Sequence, residues 1–185
     1  MPRSARSLVF AVAAAAAISG GACDRSGATA PPRAPGDAVV VSVTDGDTIR
    51  VRLGEREEKV RLIGIDTPET HGQGGLRECF GKEASRRTAE LLPEGATVRL
   101  VRDAEQRDRY GRLLAYVYTS DGTFVNLRLA EEGYAATLTI PPNVAHSDAF
   151  AAAAARAREA NRGLWGMCGG PDTPVRRIPP LPSPP

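Results

Sequence analysis

Four of the acids in residues 43–69, VTDGDTIRVRLGEREEKVRLIGIDTPE, stand at the ends of β-rich runs. Asp45 and Asp47 flank Gly46 in a strong turn signal, and Asp66 and Glu69 follow a β-rich run and bracket Thr67-Pro68. If the runs after the turn pair as a hairpin, Asp47 begins one strand and Asp66 ends the next, so the two face each other. Two hard carboxylates meeting at one sheet edge suit Ca²⁺ or Mg²⁺, which take oxygen ligands. Arg61 lies on the same strand as Asp66, and the later segment Asp108-Arg109-Tyr110-Gly111-Arg112 offers a tight turn with two more arginines. The planar guanidinium fork matches a phosphate group. Each piece alone has an ordinary reading: a hairpin turn, a strand exit, a solvated strand residue. Weight comes from their joint occurrence, because an anionic ester needs all three of cation, fork and water-directing carboxylate.

Histidine and cysteine chemistries are poorly supported. His71 and His146 are far apart, and Cys23, Cys79 and Cys168 form no CxxC or Cys/His cluster, so a structural zinc site is not expected.

The elements that must position these residues are short. Residues 39–43, 48–53 and 58–65 read as three strands joined by tight turns, a meander. Residues 82–92 have helical character and are stopped by Pro93 and Gly95. Residues 97–101 and 113–118 are β-rich, 125–132 form a short helix ended by Gly133, and 145–161 an Ala-rich helix ended by Gly163. Trp165 is expected to pack back on the domain. Five strands and three helices with an early meander fit an α+β fold around a small five-stranded Greek-key barrel of the OB type.

Composition bounds the partners. At 42% hydrophobic and 25% charged, the 185 residues have an ordinary globular make-up, enough for one domain with loose ends. The formal charge is +2, but residues 1–22 hold Arg3 and Arg6 and no acid; taking those two from the 24 basic residues leaves 22 against 22 acids. A strong basic excess usually advertises nucleic-acid binding. Here any phosphate site has to be a local group of arginines, since Lys59 and Lys82 are the only lysines.

The first 22 residues read as an export signal: two arginines, then an apolar, Ala-rich stretch at 8–18, too short to span a bilayer. Cys23 follows small residues, as in a lipoprotein signal, although Gly20 stands where leucine is usual; plain cleavage after Ala22 or Ala30 is the alternative. Residues 23–36 are a Pro/Gly/Ala-rich linker, 37–168 the domain, and 169–185 a Pro-rich tail expected to be disordered. The expected location is secreted, periplasmic or cell-surface, with membrane attachment only through lipid on Cys23. With Cys23 set aside, Cys79 and Cys168 remain as an even pair, which in an exported protein suggests a disulfide.

The motifs in order resemble the staphylococcal (micrococcal) nuclease family: DGDT at 45–48, VRLIGIDTPE at 60–69, FGKEA at 80–84, DRYGRLLAYVY at 108–118, VNLRLAEEGYA at 125–135 and NRGLWG at 161–166. DGDT alone is weak; the set, spanning 39–166 in unbroken order, is highly specific. The resemblance implies a Ca²⁺-dependent hydrolase cutting DNA and RNA, single-stranded or fraying, and acting as a monomer. It implies that Asp47, Asp66 and the Thr67 carbonyl bind Ca²⁺. Glu69 would hold the attacking water, Arg61 and Arg112 would clamp the phosphate, and Tyr110 would line the nucleotide pocket beside Arg109. Two departures stand out. After Gly133 the family enzyme carries tyrosines that pack on the nucleotide; here Thr137, Leu138, Thr139 and Ile140 stand instead. The segment after Glu69, THGQGGLREC, is Gly-rich and lacks lysine, so it is expected to be mobile and to attract phosphate little. The competing reading is a non-catalytic barrel that binds nucleic acid or protein. Such scaffolds typically lose the acids and arginines, whereas Asp47, Arg61, Asp66, Glu69 and Arg112 are all present.

Overall fold

The computed structural model describes residues 37–70, 77–171 and 173. The signal, Cys23, the 23–36 linker, residues 71–76 with His71, and most of the 169–185 tail lie outside the described residues.

Strand β1 (Asp37–Asp45) turns at Gly46-Asp47 into β2 (Thr48–Leu53), which turns at Gly54-Glu55 into β3 (Arg56–Leu62). Strands β5 (Thr97–Val101) and β6 (Leu113–Thr119) complete a closed barrel in the order β1-β2-β3-β6-β5, with β5 pairing back on β1. All these pairs are antiparallel except β3 with β6, which is parallel. The alternation read from β2 holds: Ile49 and Val51 are buried between exposed Arg50 and Arg52. In β6, by contrast, five consecutive residues from Leu113 to Val117 are buried, because one face fills the barrel and the other is covered by helices. Helix α1 (Gly81–Leu91) crosses beside β1; α2 (Val125–Glu131) packs on β6 and on α3 (Ser147–Glu159).

One expected strand is two. The run 58–65 breaks at Ile63, and the chain continues as a separate strand β4 (Gly64–Asp66), which pairs with β7 (Ala136–Leu138) outside the barrel. The cause is distant in sequence. Gly64 adopts φ +85, and the space where a Cβ would stand is filled by the Phe150 ring of α3. The buried Asn126 of α2 then takes up the backbone at the break: its Nδ2 donates to the Ile63 carbonyl at 2.9 Å and the Ala115 carbonyl at 3.2 Å, and its Oδ1 accepts from Val117 N–H at 2.9 Å. A buried backbone group left without a partner costs about 1–3 kcal/mol, so one side chain that satisfies three is a strong local determinant.

The last helix expected from sequence is followed by a further turn, α4 (Leu164–Met167). Leu164, not Trp165, is its anchor. Leu164 is fully buried and its N–H donates to the Gly133 carbonyl at 2.9 Å, while Trp165 is half-buried with the Arg158 guanidinium 5.8 Å from its ring. The expected pairing of Cys79 with Cys168 is present, with Cα atoms 5.9 Å apart, within the range a bridge requires.

Candidate active site

The β2–β3 hairpin has the expected register, with Thr48 opposite Arg61 and the Leu62 N–H donating to the Asp47 carbonyl at 2.8 Å. Asp66 does not reach the site as the end of that hairpin strand; the Ile63–Gly64 break redirects it there on β4. The result is a knot around Arg61. Its Nη2 lies 3.0 Å from Asp47 Oδ2 and donates to Asp66 Oδ1 at 2.6 Å. Its Nη1 donates to the carbonyls of Leu62 at 2.6 Å and Ile65 at 2.9 Å. With its side chain 12% exposed, Arg61 is a nearly buried cation fixed by backbone on one side and by two carboxylates on the other.

Asp47 is fixed as firmly. Its Oδ1 accepts from the Thr48 hydroxyl at 2.9 Å, and its Oδ2 also accepts from the Thr67 N–H at 3.1 Å. Gly46 is pressed against Thr67: a Cβ there would lie 2.6 Å from Thr67 Oγ1, so no side chain fits. Among the described residues that buried hydroxyl has no hydrogen-bond partner.

Glu69 completes the acid group. The residue has an exposed flank, yet its carboxyl is pushed up to about 7. Partial loss of water is the first cause, a hydrogen bond with the Asp45 carboxyl the second, and the negative charges of Asp45, Asp47 and Asp66 add to it. Asp45, noted from sequence only as a turn residue, therefore belongs to the site.

The residues fit a hard divalent cation in donor type. Two carboxylate oxygens, from Asp47 and Asp66, converge on one positively charged nitrogen at 3.0 and 2.6 Å, and the backbone of Thr67 runs alongside. Among the described residues no three His, Cys, Asp or Glu side chains form a complete metal cage. The donors at hand suit a cation that keeps several waters better than one needing an all-protein shell.

A cleft of about 470 Å³ opens beside Arg61, and Arg109, Tyr110 and Arg112 line its other wall. The parallel pairing of β3 with β6 brings the two walls together, since Val60 lies opposite Leu113 and Arg61 opposite Leu114. The wall is a turn organised by Asp108. Its Oδ1 accepts the N–H groups of Tyr110 at 3.0 Å and Arg112 at 2.9 Å, and its Oδ2 accepts from Arg112 Nε at 2.6 Å. Burial pushes the Asp108 carboxyl up, but the Arg112 guanidinium and these N–H groups outweigh burial and hold it below the usual carboxylate range. Gly111 takes φ +79, closing the turn. Tyr110 is 68% exposed; its hydroxyl accepts from Arg109 Nη2 at 2.7 Å, and the Arg112 guanidinium carbon lies 5.5 Å from its ring centre.

Leu138 and Ile140, 38% and 60% exposed, also line the cleft. The run 137–140 stood out in the sequence, but which two face the cleft depends on the register of β7 against β4, where Leu138 lies opposite Gly64. The side chain of Asn143 ties this wall to the other, donating to the Glu105 carbonyl at 3.0 Å and accepting from its N–H at 2.7 Å.

A model of the family described as "Staphylococcal nuclease homologue" matches residues 59–167, more than half of the chain. The chain belongs to the staphylococcal nuclease family. This nuclease is 40% identical over 127 residues to a thermonuclease of Staphylococcus intermedius, covering 69% of its own length and 74% of that relative. It is 38% identical over 126 residues to a thermonuclease of Staphylococcus hyicus, covering 68% and 73%. It is also 34% identical over 144 residues to the endonuclease YncB of Bacillus subtilis, covering 75% and 68%. The family match takes in Arg61, Asp66, Glu69 and the turn that carries Arg112.

Proposed function

We propose that this nuclease is a Ca²⁺-dependent phosphodiesterase that hydrolyses DNA and RNA, preferring single-stranded or fraying ends, and that it acts as an exported monomer. The observation that carries the reading is the meeting of Asp47 and Asp66 at Arg61, which lines a cleft whose other wall carries Arg112, with Glu69 near enough to feel the charges of both acids.

Asp47, Asp66 and the Thr67 carbonyl would hold Ca²⁺, which when bound supplies Lewis-acid polarisation of a phosphoryl oxygen. The chain's own side chains do the rest. Arg112 and, from the facing wall, Arg61, exchanging Nη2 from Asp47 and Asp66 to the phosphate, would donate charge-assisted bonds that strengthen as negative charge builds on its oxygens. Glu69, hydrogen-bonded to Asp45, would orient a water or take its proton. Tyr110 offers an exposed ring on which a splayed base stacks, with Leu138 and Ile140 as an apolar floor. An unpaired strand fits better than a duplex because its bases are free to leave their neighbours.

The test is hydrolysis of single-stranded DNA by the purified protein. Activity is expected with Ca²⁺ and none with a calcium chelator or with Zn²⁺ alone, since the ligands are hard oxygens. Glu69→Gln is expected to lower kcat by about 10²–10³ with Ca²⁺ affinity changed far less, the pattern of a contact made in the transition state. Full activity in chelator, or wild-type turnover by the variant, overturns the reading.

A further inference from the structure

We propose that Glu78 is a positioning residue for Glu69, and that the Cys79–Cys168 disulfide holds Glu78 in place, so that turnover falls when the bridge is reduced. The inference rests on the role given above to Glu69.

Glu78 grips the backbone of Glu69 at both of its polar groups. Its side-chain Oε2 accepts from the Glu69 N–H at 2.8 Å, and its own N–H donates to the Glu69 carbonyl at 3.0 Å. Two bonds on either side of one Cα fix the direction in which its side chain leaves the backbone. Pro68 restricts φ immediately before. On the far side the first turn of α1 lies flush against the same peptides: a Cβ on Gly81 would stand 2.7 Å from the Glu69 carbonyl oxygen and 3.0 Å from that of Pro68. Glu69 is therefore aimed from outside the cleft by the segment that leads into α1.

Two exposed hydrogen bonds do not hold such a clip alone. Each contributes little net against water, while every residue of the segment that must be ordered to make them loses conformational freedom. The clip needs a second anchor, and one lies beside it. Cys79, next to Glu78, is bonded to Cys168, and the Cys79 N–H donates to the Thr173 carbonyl at 2.8 Å. Cys168 closes α4, whose Leu164 is buried in the domain and bonded to Gly133. The fixed order runs from the core through Leu164, α4 and the bridge to Glu78, and from there to Glu69. No member of that order before Glu69 lines the cleft. Reduction breaks the S–S bond and leaves two thiols; the two electrons and two protons come from an added dithiol, which closes to its own disulfide.

The experiment measures kcat and KM on single-stranded DNA, with Ca²⁺ saturating, for Glu78→Ala, Glu78→Gln and the wild type before and after dithiothreitol, free thiols being titrated. Glu78→Ala is expected to lose about 10- to 100-fold in kcat, the scale of an ångström-sized misplacement, with KM within about twofold. Glu78→Gln retains a carbonyl oxygen for the Glu69 N–H and is expected to remain near wild type. Reduced wild type is expected to lose kcat in the same way, and Glu78→Ala to add less than its full effect once the bridge is open. Wild-type kcat in Glu78→Ala, equal losses in the Ala and Gln variants, or full turnover after complete reduction each overturn the proposal. Glu69→Gln separates the two readings: if that variant is inactive while Glu78→Ala is normal, only the positioning role fails.

Discussion

Arg61 and Arg112 line the same cleft, yet they are held in opposite ways. Arg61 sits on a barrel strand, nearly buried, with bonds to two backbone carbonyls and two carboxylates drawn from three separate segments. Arg112 sits at the end of a turn, its side chain 29% exposed, and its one ion pair is with Asp108 of the same turn. The Arg61 wall is therefore a product of the tertiary fold, and the arginine–tyrosine wall a nearly self-contained local structure. One guanidinium is positioned by the whole barrel, the other by a handful of neighbouring residues.

The sharpest way to break this contrast is to make the same change on both walls. Arg61→Lys and Arg112→Lys are each expected to lose about 10²–10³ in kcat/KM, because a lysine cannot reproduce the fork. Only Arg61→Lys should also lower the melting temperature, by an amount corresponding to about 1–3 kcal/mol, since it leaves buried carbonyls and carboxylates short of donors. Equal melting temperatures for the two variants would show that Arg61 is no more structural than Arg112. A smaller effect is expected from Asp108→Asn. The amide still accepts the turn's N–H groups but loses the charge pair with Arg112, so kcat/KM should drop by about tenfold with the fold intact. A drop as large as that of Arg112→Lys would mean that the turn does not form without the charge. Tyr110→Ala should be the mildest. Its stacking is worth about 1–3 kcal/mol, so KM rises while kcat stays close to wild type; a fall in kcat alone would place the ring in the chemistry rather than in binding.

The same contrast explains what could be read from the sequence. The arginine–tyrosine turn was visible because everything that shapes it, Asp108, Gly111 and the two arginines, lies within a few residues. Of the barrel strands, β2 is legible through its alternation and the others through β-rich composition and the turns between them, and the helix ends through Pro93, Gly133 and Gly163. The β3–β4 break was hidden: 58–65 is uniformly β-rich, and the residues that break it, Asn126 and Phe150, are far along the chain. For that reason Asp66 meets Asp47, as the sequence suggests, but from a separate strand rather than from the end of the hairpin. Asp45 and Glu78 were passed over for a related reason, since each acts on Glu69 through a contact that no local pattern announces. Trp165 was singled out by size, while the smaller Leu164 carries the anchoring, because only the docking of α4 decides which of two adjacent apolar residues faces inward.

The joint at Ile63 has a consequence for anyone who would transplant this site. The five barrel strands with their turns carry Asp47, Arg61 and Arg112, and look like a complete cassette. Grafted alone they would lack Asp66 and Glu69, which follow the break, and the residues that set the break stand on α2 and α3, which line none of the cleft. The smallest portable unit is the barrel together with those two helices, the β4–β7 pair and the bridged segment that grips Glu69, and a screen for variants that retune the site should include Asn126 and Phe150 among its first positions.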